Sequence, residues 1–413
     1  MSHRRLIGSK LIFICGFAVI GVILLSISHA GTPTVSIEPE NGTLSNPNMS
    51  VNNGTASNGK AIKFSSGAAQ PATGSLIKTN CSPAAAATDG TMVWNSADEN
   101  NVFDVYIGNG SCVGSALLPA YDGNRGAADI TSDGRYVLLV TAVGWDKNIS
   151  WAQPGKGSGN AIQLYDRQTN RLSTLLAGAA ADQRGVIWPR FNDNGTKIVW
   201  SQMVQTSFEM GPIGSWQLHV ASVNLATGTL SNNITWQDPT DTSALYEPYG
   251  WIPNTNKIIY MSSANETATD TTAMQLYTLP DTLPVSQHGT RLSPQISPYW
   301  PWETPIHVYH EFVDFAPGDS NTFYTSIGVA ALGADLWKYD LRTAGSDGLL
   351  GQPTRVSYFG GNYRAPLGQQ AVAGWPAPQY SIVGGMAWVN SGWVAGVCGS
   401  DSCATINAYR INP

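Results

Sequence analysis

The feature that most restricts this chain is a pattern that returns six times along it. An apolar pair, a polar turn and an apolar strand recur in ADITSDGRYVLLVT (128–141), PRFNDNGTKIVWSQ (189–202), YGWIPNTNKIIYMSS (249–263) and VDFAPGDSNTFYTSI (313–327). Fainter copies stand at AAATDGTMVWNS (85–96) and MAWVNSGWVAGV (386–397). With the turns aligned on Gly90, Gly134, Gly195, Thr255, Asp319 and Gly392, successive copies lie between 44 and 73 residues apart. A period of this kind has to be explained before any single residue is. A second strand-turn-strand element trails the turn, clearest in AIQLYDRQTNRLSTLL (161–176), LHVASVNLATGTLSNN (218–233) and ADLWKYDLRTAGSDG (334–348). Asp-Gly, Asn-Gly and Thr-Asn turns between apolar runs are hairpin signals, because Gly and Asn tolerate positive φ.

Two hairpins per unit make a four-stranded antiparallel sheet with both faces apolar. Six such sheets bury their faces by packing on one another around an axis, so the expected fold is all-β: a six-bladed β-propeller over residues 74–413. The last unit ends after three strands, and Gly74–Asn80 (GSLIKTN) has strand composition, so it is expected to supply the missing outer strand and close the ring. Composition agrees. Only 12% of the residues are charged, against the roughly 25% usual for soluble domains, and there are 43 Gly and 24 Pro. With 22 Lys and Arg against 28 Asp and Glu, no basic surface for nucleic acid is expected.

Residues 1–30 read as a signal peptide or signal anchor: Arg4, Arg5 and Lys10 precede an apolar run from Leu11 to Ser28, with Ser28 and Ala30 suited to cleavage. At 18 residues the run is long enough to span a bilayer, so an N-terminal anchor helix through residues 11–28 and an extracytoplasmic remainder, membrane-anchored or secreted, are expected. Four cysteines lie beyond it, and Cys81 with Cys112 and Cys398 with Cys403 are the expected disulfides, the other connectivities remaining open.

The best copy of the repeat, WPRFNDNGTKIVWS (188–201), resembles the WD40-like repeat of TolB-type propellers. That resemblance implies a scaffold whose members dock proteins, bind sugars or accompany enzymatic domains. Residues 35–64 are similar to the opening strands of family 6 and 35 carbohydrate-binding modules: Glu38 and Glu40 stand in the acidic positions, Gly42–Leu44 match the Gly-Thr-Leu step, and ASNGKAI (56–62) matches the second strand. The match ends too soon for a complete module, so residues 31–73 are expected to be a short β-hairpin stalk.

Candidate functional residues are those five to nine positions before each aligned turn, where an innermost strand borders the channel. They are Arg125, Asp129, Trp188, Arg190, Tyr246, Glu247, Tyr249, His310, Glu311 and Asp314, on one arc of the ring. Aromatic platforms beside carboxylates and guanidiniums suit a polysaccharide or a surface protein as partner. Asp129, Arg190 and Asp314 share one register and could instead pair among themselves. Glu247 and Glu311 share another, and with His310 they are the candidates for catalysis if the chain is a polysaccharide lyase or hydrolase rather than a binding protein. A purely structural envelope role is the third reading. No cofactor is expected, apart from a divalent zinc, copper or manganese ion that His310 could share with His288 and His307.

Overall fold

The computed structural model describes residues 50–52, 60–62, 73–97, 103–119, 124–142, 161–177, 185–206, 214–239, 245–262, 275–284, 286–294, 308–329, 333–359, 375, 382–398 and 406–412. The apolar run 11–28 and Cys403 lie outside these residues, as does the side chain of Cys398. Among the described residues, no helix is long and apolar enough to cross a membrane. The chain divides into two compact units, 1–69 and 70–413. In the first, β1 (Ser50–Asn52) and β2 (Lys60–Ile62) pair antiparallel.

The second unit begins with β3 (Thr73–Thr79) and continues through six four-stranded antiparallel sheets. Blade 1 is β4 (Ser82–Ala86), β5 (Met92–Ala97), β6 (Phe103–Asn109) and β7 (Val113–Ala116). Blade 2 is β8 (Asn124–Ile130), β9 (Tyr136–Ala142), β10 (Ala161–Asp166) and β11 (Arg171–Leu176). Blade 3 is β12 (Val186–Phe191), β13 (Lys197–Thr206), β14 (Gly214–Asn224) and β15 (Thr229–Trp236). Blade 4 is β16 (Tyr246–Trp251), β17 (Lys257–Ser262), β18 (Gln275–Pro280) and β19 (Thr290–Arg291). Blade 5 is β20 (Val308–Phe315), β21 (Thr322–Val329), β22 (Gly333–Asp340) and β23 (Thr354–Arg355). Blade 6 has only β24 (Ile382–Val389), β25 (Gly392–Cys398) and β26 (Ile406–Asn412) of its own, and β3 is its fourth strand, with Ile411 opposite Gly74 and Asn407 opposite Thr79.

Six buried clusters tie the blades together, one at each junction. Trp216 and Trp236 of blade 3 meet Tyr246, Trp251 and Tyr260 of blade 4. Leu138 and Ile162 of blade 2 meet Trp200 and Phe191 of blade 3. Val93 of blade 1 meets Leu139 of blade 2, Ile259 of blade 4 meets Phe323 of blade 5, and Tyr324 of blade 5 meets Trp393 of blade 6. The sixth cluster joins Met92 and Trp94 of blade 1 to Val394 and Ala408 of blade 6, so the ring is closed by packing as well as by pairing. At that junction Gly385, at φ +152°, lies so near the next blade that a Cβ there would stand 2.2 Å from the Pro83 carbonyl oxygen.

A disulfide between Cys81 and Cys112 pins the junction further. Cys81 directly precedes β4, Cys112 lies in the turn before β7, and Lys78 Nζ donates to the Cys112 carbonyl at 2.9 Å. Elsewhere a Thr-Arg-x-Ser sequence ends the outer edge of two blades in the same way. In blade 5, Ser357 Oγ accepts from Leu336 N (2.8 Å) and donates to Asp335 (2.6 Å), while Arg355 Nε donates to the Ser357 carbonyl (2.9 Å). Ser293, Gln275 and Arg291 repeat this in blade 4.

Two outcomes test the closure. A chain lacking residues 73–79 should melt well below the intact protein in a thermal scan, and an unchanged transition would contradict closure by β3. The Cys81→Ala/Cys112→Ala variant should lose about 2–4 kcal/mol, read from the shift in its denaturant midpoint.

Candidate functional site

Every innermost strand breaks its ladder at the same level. The register shifts between Pro83 and Ala85, Ala127 and Asp129, Ile187 and Arg190, Pro248 and Gly250, Glu311 and Asp314, and Val383 and Met386. Each bulge bends its strand and re-aims the side chains around it. Past the bulges, one rung holds Ala85, Asp129, Arg190, Gly250, Asp314 and Met386, facing Val93, Leu138, Val199, Ile259, Tyr324 and Ala395 of the second strands. Asp129, Arg190 and Asp314 therefore do share a level. Before the bulges, Glu247 opposite Met261 and Glu311 opposite Ser326 share another.

A cavity of about 600 Å³ occupies the channel, lined from all six innermost strands and reaching the exposed turns at Asp133, Asn194, Asn254 and Gly318. Trp188 and Phe312, the bulge residues of blades 3 and 5, meet across it edge to face, with ring centroids 5.2 Å apart at 88°. Both have left-handed backbone, φ +52° and +54°, a conformation costly for a bulky side chain. Gly250 takes φ +117° at the bulge of the blade between them, where a Cβ would lie 3.7 Å from that of Arg190. The Arg190 guanidinium is 5.8 Å from the Trp188 ring centre.

Within the cavity, Asp129 Oδ2 accepts from Phe191 N (2.7 Å) and Oδ1 from Ile130 N (2.8 Å). Arg190 Nη1 donates to the Ala128 carbonyl, and its Nε is buried without a partner. Burial raises Asp129 above the usual carboxylate range against the pull of Arg190. Burial likewise pushes Asp314 up to about 7, opposed by Arg190 and the Phe315 amide and aided by the Asp129 charge. At the other rung, burial pushes Glu247 up to about 7, although the Tyr249 hydroxyl, donating to it at 3.1 Å, and the nearby Trp188 indole pull it down. Glu311 rises to about 8, through burial first and then the neighbouring Glu247.

Of the candidates read from the sequence, Arg125, Asp129, Trp188, Arg190, Tyr249 and Asp314 line the cavity, and Tyr246, Glu247, His310 and Glu311 do not. Arg125 is 4% exposed and holds Asp104 with two hydrogen bonds of 2.9 and 2.8 Å. Tyr246 is fully buried against Trp236 and Tyr260, its hydroxyl accepting from Asp238 N at 3.0 Å. His310 is fully buried, with Nε2 3.0 Å from the Tyr339 hydroxyl. His288 pairs with Asp238 instead (3.1 Å), and His307 lies outside the described residues. Among the described residues, no three His, Cys, Asp or Glu side chains are grouped to hold a metal. Phe312 and Ser82 are cavity residues that the sequence reading missed. Phe312 stands two places before Asp314 as Trp188 stands two before Arg190, and that spacing was the available signal.

No family model matches the chain, and no curated protein matches it. Among solved structures it is similar to TolB from Acinetobacter baumannii, at 10% identity and a TM-score of 0.44, over 78% of this chain and 64% of that one. A prolyl endopeptidase gives 10% and 0.41 over 78% and 40%, and the Aleuria aurantia lectin gives 9% and 0.40 over 83% and 96%. The chain thus spans less than two thirds of the TolB and peptidase chains. These likenesses carry no argument about function. The six four-stranded blades themselves form the β-propeller that the repeats predict.

The raised carboxyls make stability depend on pH. Glu247, Glu311 and Asp314 hold protons more tightly in the folded chain than in the unfolded one, where carboxyls titrate near about 4. Their contribution is present in full below that pH and is lost as pH rises through about 7 and about 8. The urea midpoint should therefore be higher at pH 5.5 than at pH 8.5, with a smaller difference in Glu311→Gln. Equal midpoints would contradict these shifts.

Proposed function

We propose that this chain is a non-catalytic, extracytoplasmic binding propeller, anchored through residues 11–28, that takes part of a polysaccharide into its channel. The observation that carries this reading is the cavity itself: about 600 Å³, with the Trp188–Phe312 pair in its wall and the buried Arg190 Nε left without a partner. Sugar rings offer apolar C–H faces to aromatic rings, and their hydroxyls both donate and accept, which suits a site mixing carboxylates with a guanidinium. Two bulky residues held at positive φ fit a site whose geometry is fixed at a cost in stability. The Cys81–Cys112 disulfide agrees with an oxidising compartment.

A second reading, a polysaccharide lyase or hydrolase, draws on Glu247 and Glu311, neighbouring carboxyls with raised affinity for protons. Binding is favoured over it because neither glutamate lines the cavity.

A glycan array combined with a product assay on the full-length protein separates the readings. Binding without new reducing ends or unsaturated products is expected, and Trp188→Ala should weaken it at least tenfold while leaving the far-ultraviolet spectrum intact. Turnover abolished by Glu247→Gln would establish the enzyme instead. Capture of envelope proteins with no glycan bound would overturn both.

A further inference from the structure

The cavity is lopsided in charge. Asp129, Asp133, Asp193, Asp314 and Asp319 line it against two arginines, and one of these, Arg125, is engaged by Asp104. Arg190 is the one remaining guanidinium of the lining, with Arg135 and Arg342 acting on Asp133 and Asp319 from outside it. Three of the five ring the mouth on turns, where backbone amides fix them: Asp193 Oδ2 accepts from Asn254 N, Asp133 Oδ1 from Arg135 N, and Asp319 Oδ1 from both Asn321 N and Thr322 N. A mouth of one sign above low-dielectric walls concentrates ligands of the opposite sign.

Deeper in, the lining holds two kinds of unfinished bonding. The Asp314 carboxyl takes one hydrogen bond among the described residues, from Phe315 N to Oδ1 at 2.8 Å, and its Oδ2 takes none. Ser82 lines the cavity with 2% of its surface exposed, and its Oγ is buried with no partner, as is the Nε of Arg190. A cation satisfies the first kind, and a hydroxyl satisfies the second. The Trp188 and Phe312 rings add π-faces, which attract a cation held beside them. An acidic sugar would meet five carboxyl groups, and a neutral sugar would leave Asp129 and Asp314 to share the single guanidinium of Arg190. One ligand class meets both needs.

We infer that the saccharide entering this channel carries free amino groups, with one ammonium seated between Asp314 and the Trp188–Phe312 pair and neighbouring hydroxyls against the wall that Arg190 and Ser82 line. This rests on the polysaccharide reading and adds the chemistry of the sugar. Binding makes and breaks no covalent bond. Asp314, raised to about 7 by burial, gives up its proton more readily beside the ammonium.

The test is calorimetric titration of the full-length protein in detergent, at pH 6.5, with the tetramer of glucosamine and with its fully N-acetylated counterpart. The free-amine tetramer should bind at least tenfold more tightly, and Asp314→Asn should abolish that preference by weakening the free-amine tetramer. Asp319→Asn, on an exposed turn at the mouth, should cut the preference two- to fivefold and serves if Asp314→Asn does not fold. Equal affinity for the two tetramers, or a preference that survives both substitutions, overturns the inference and leaves the polysaccharide reading standing. Failure of both tetramers while other glycans bind does the same. Binding of a lysine-rich peptide with no saccharide bound, or no binding of either kind, overturns the inference and the polysaccharide reading together.

Discussion

Each blade has two apolar faces, and neither can be left to water. That constraint determines most of the rest. A four-stranded sheet bearing Trp216 on one hairpin and Tyr260 on the next blade gains by stacking them, and every additional blade leaves a new open face until the last meets the first. Closure falls to β3, which crosses to blade 6 and leaves β4 in blade 1, so one stretch of chain belongs to both ends of the ring. The disulfide, the Lys78 hydrogen bond and the cluster around Met92, Trp94 and Val394 all gather at this junction. The scarcity of charge follows from the same cause, because six blade junctions take mainly apolar or small side chains.

A ring that is packed between its blades still has an axis, and the bulges decide what stands there. At each innermost strand the break in the ladder shifts the phase of the side chains. Residues after it turn toward the cavity, and the bulge residues of blades 3 and 5 reach one another. The polar groups this brings together are incompletely matched: Asp129 is tied to Phe191 N, whereas Arg190 Nε and Ser82 Oγ are left without partners. Burial without full hydrogen bonding costs stability.

Much of this was legible in the sequence. Aligning the turns located the six units, the closing strand and the common level of Asp129, Arg190 and Asp314, because a turn fixes the register of the strands it joins. The pairing of Cys81 with Cys112 was the expected one among connectivities that the sequence left open, and the structure forms it. Tyr246 and His310 were less tractable. Each precedes a glutamate, adjacent residues of a strand point to opposite sides, and the sequence does not say which of the two faces the neighbouring blade. Trp188 was found by its type, but Phe312 escaped because a bulge interrupts the period of two that would have placed it. The hold of Asp104 on Arg125 joins two blades and leaves no local signal.

The claim at the centre is that ligand enters the channel at the turns and rests against the bulges. Hydrogen–deuterium exchange of the full-length protein, with and without a bound oligosaccharide, tests it most directly. Protection confined to peptides covering residues 186–195 and 312–320 is the predicted result. Protection on the outer strands, around the exposed Leu76 and Val113, with none at the innermost strands, would contradict it.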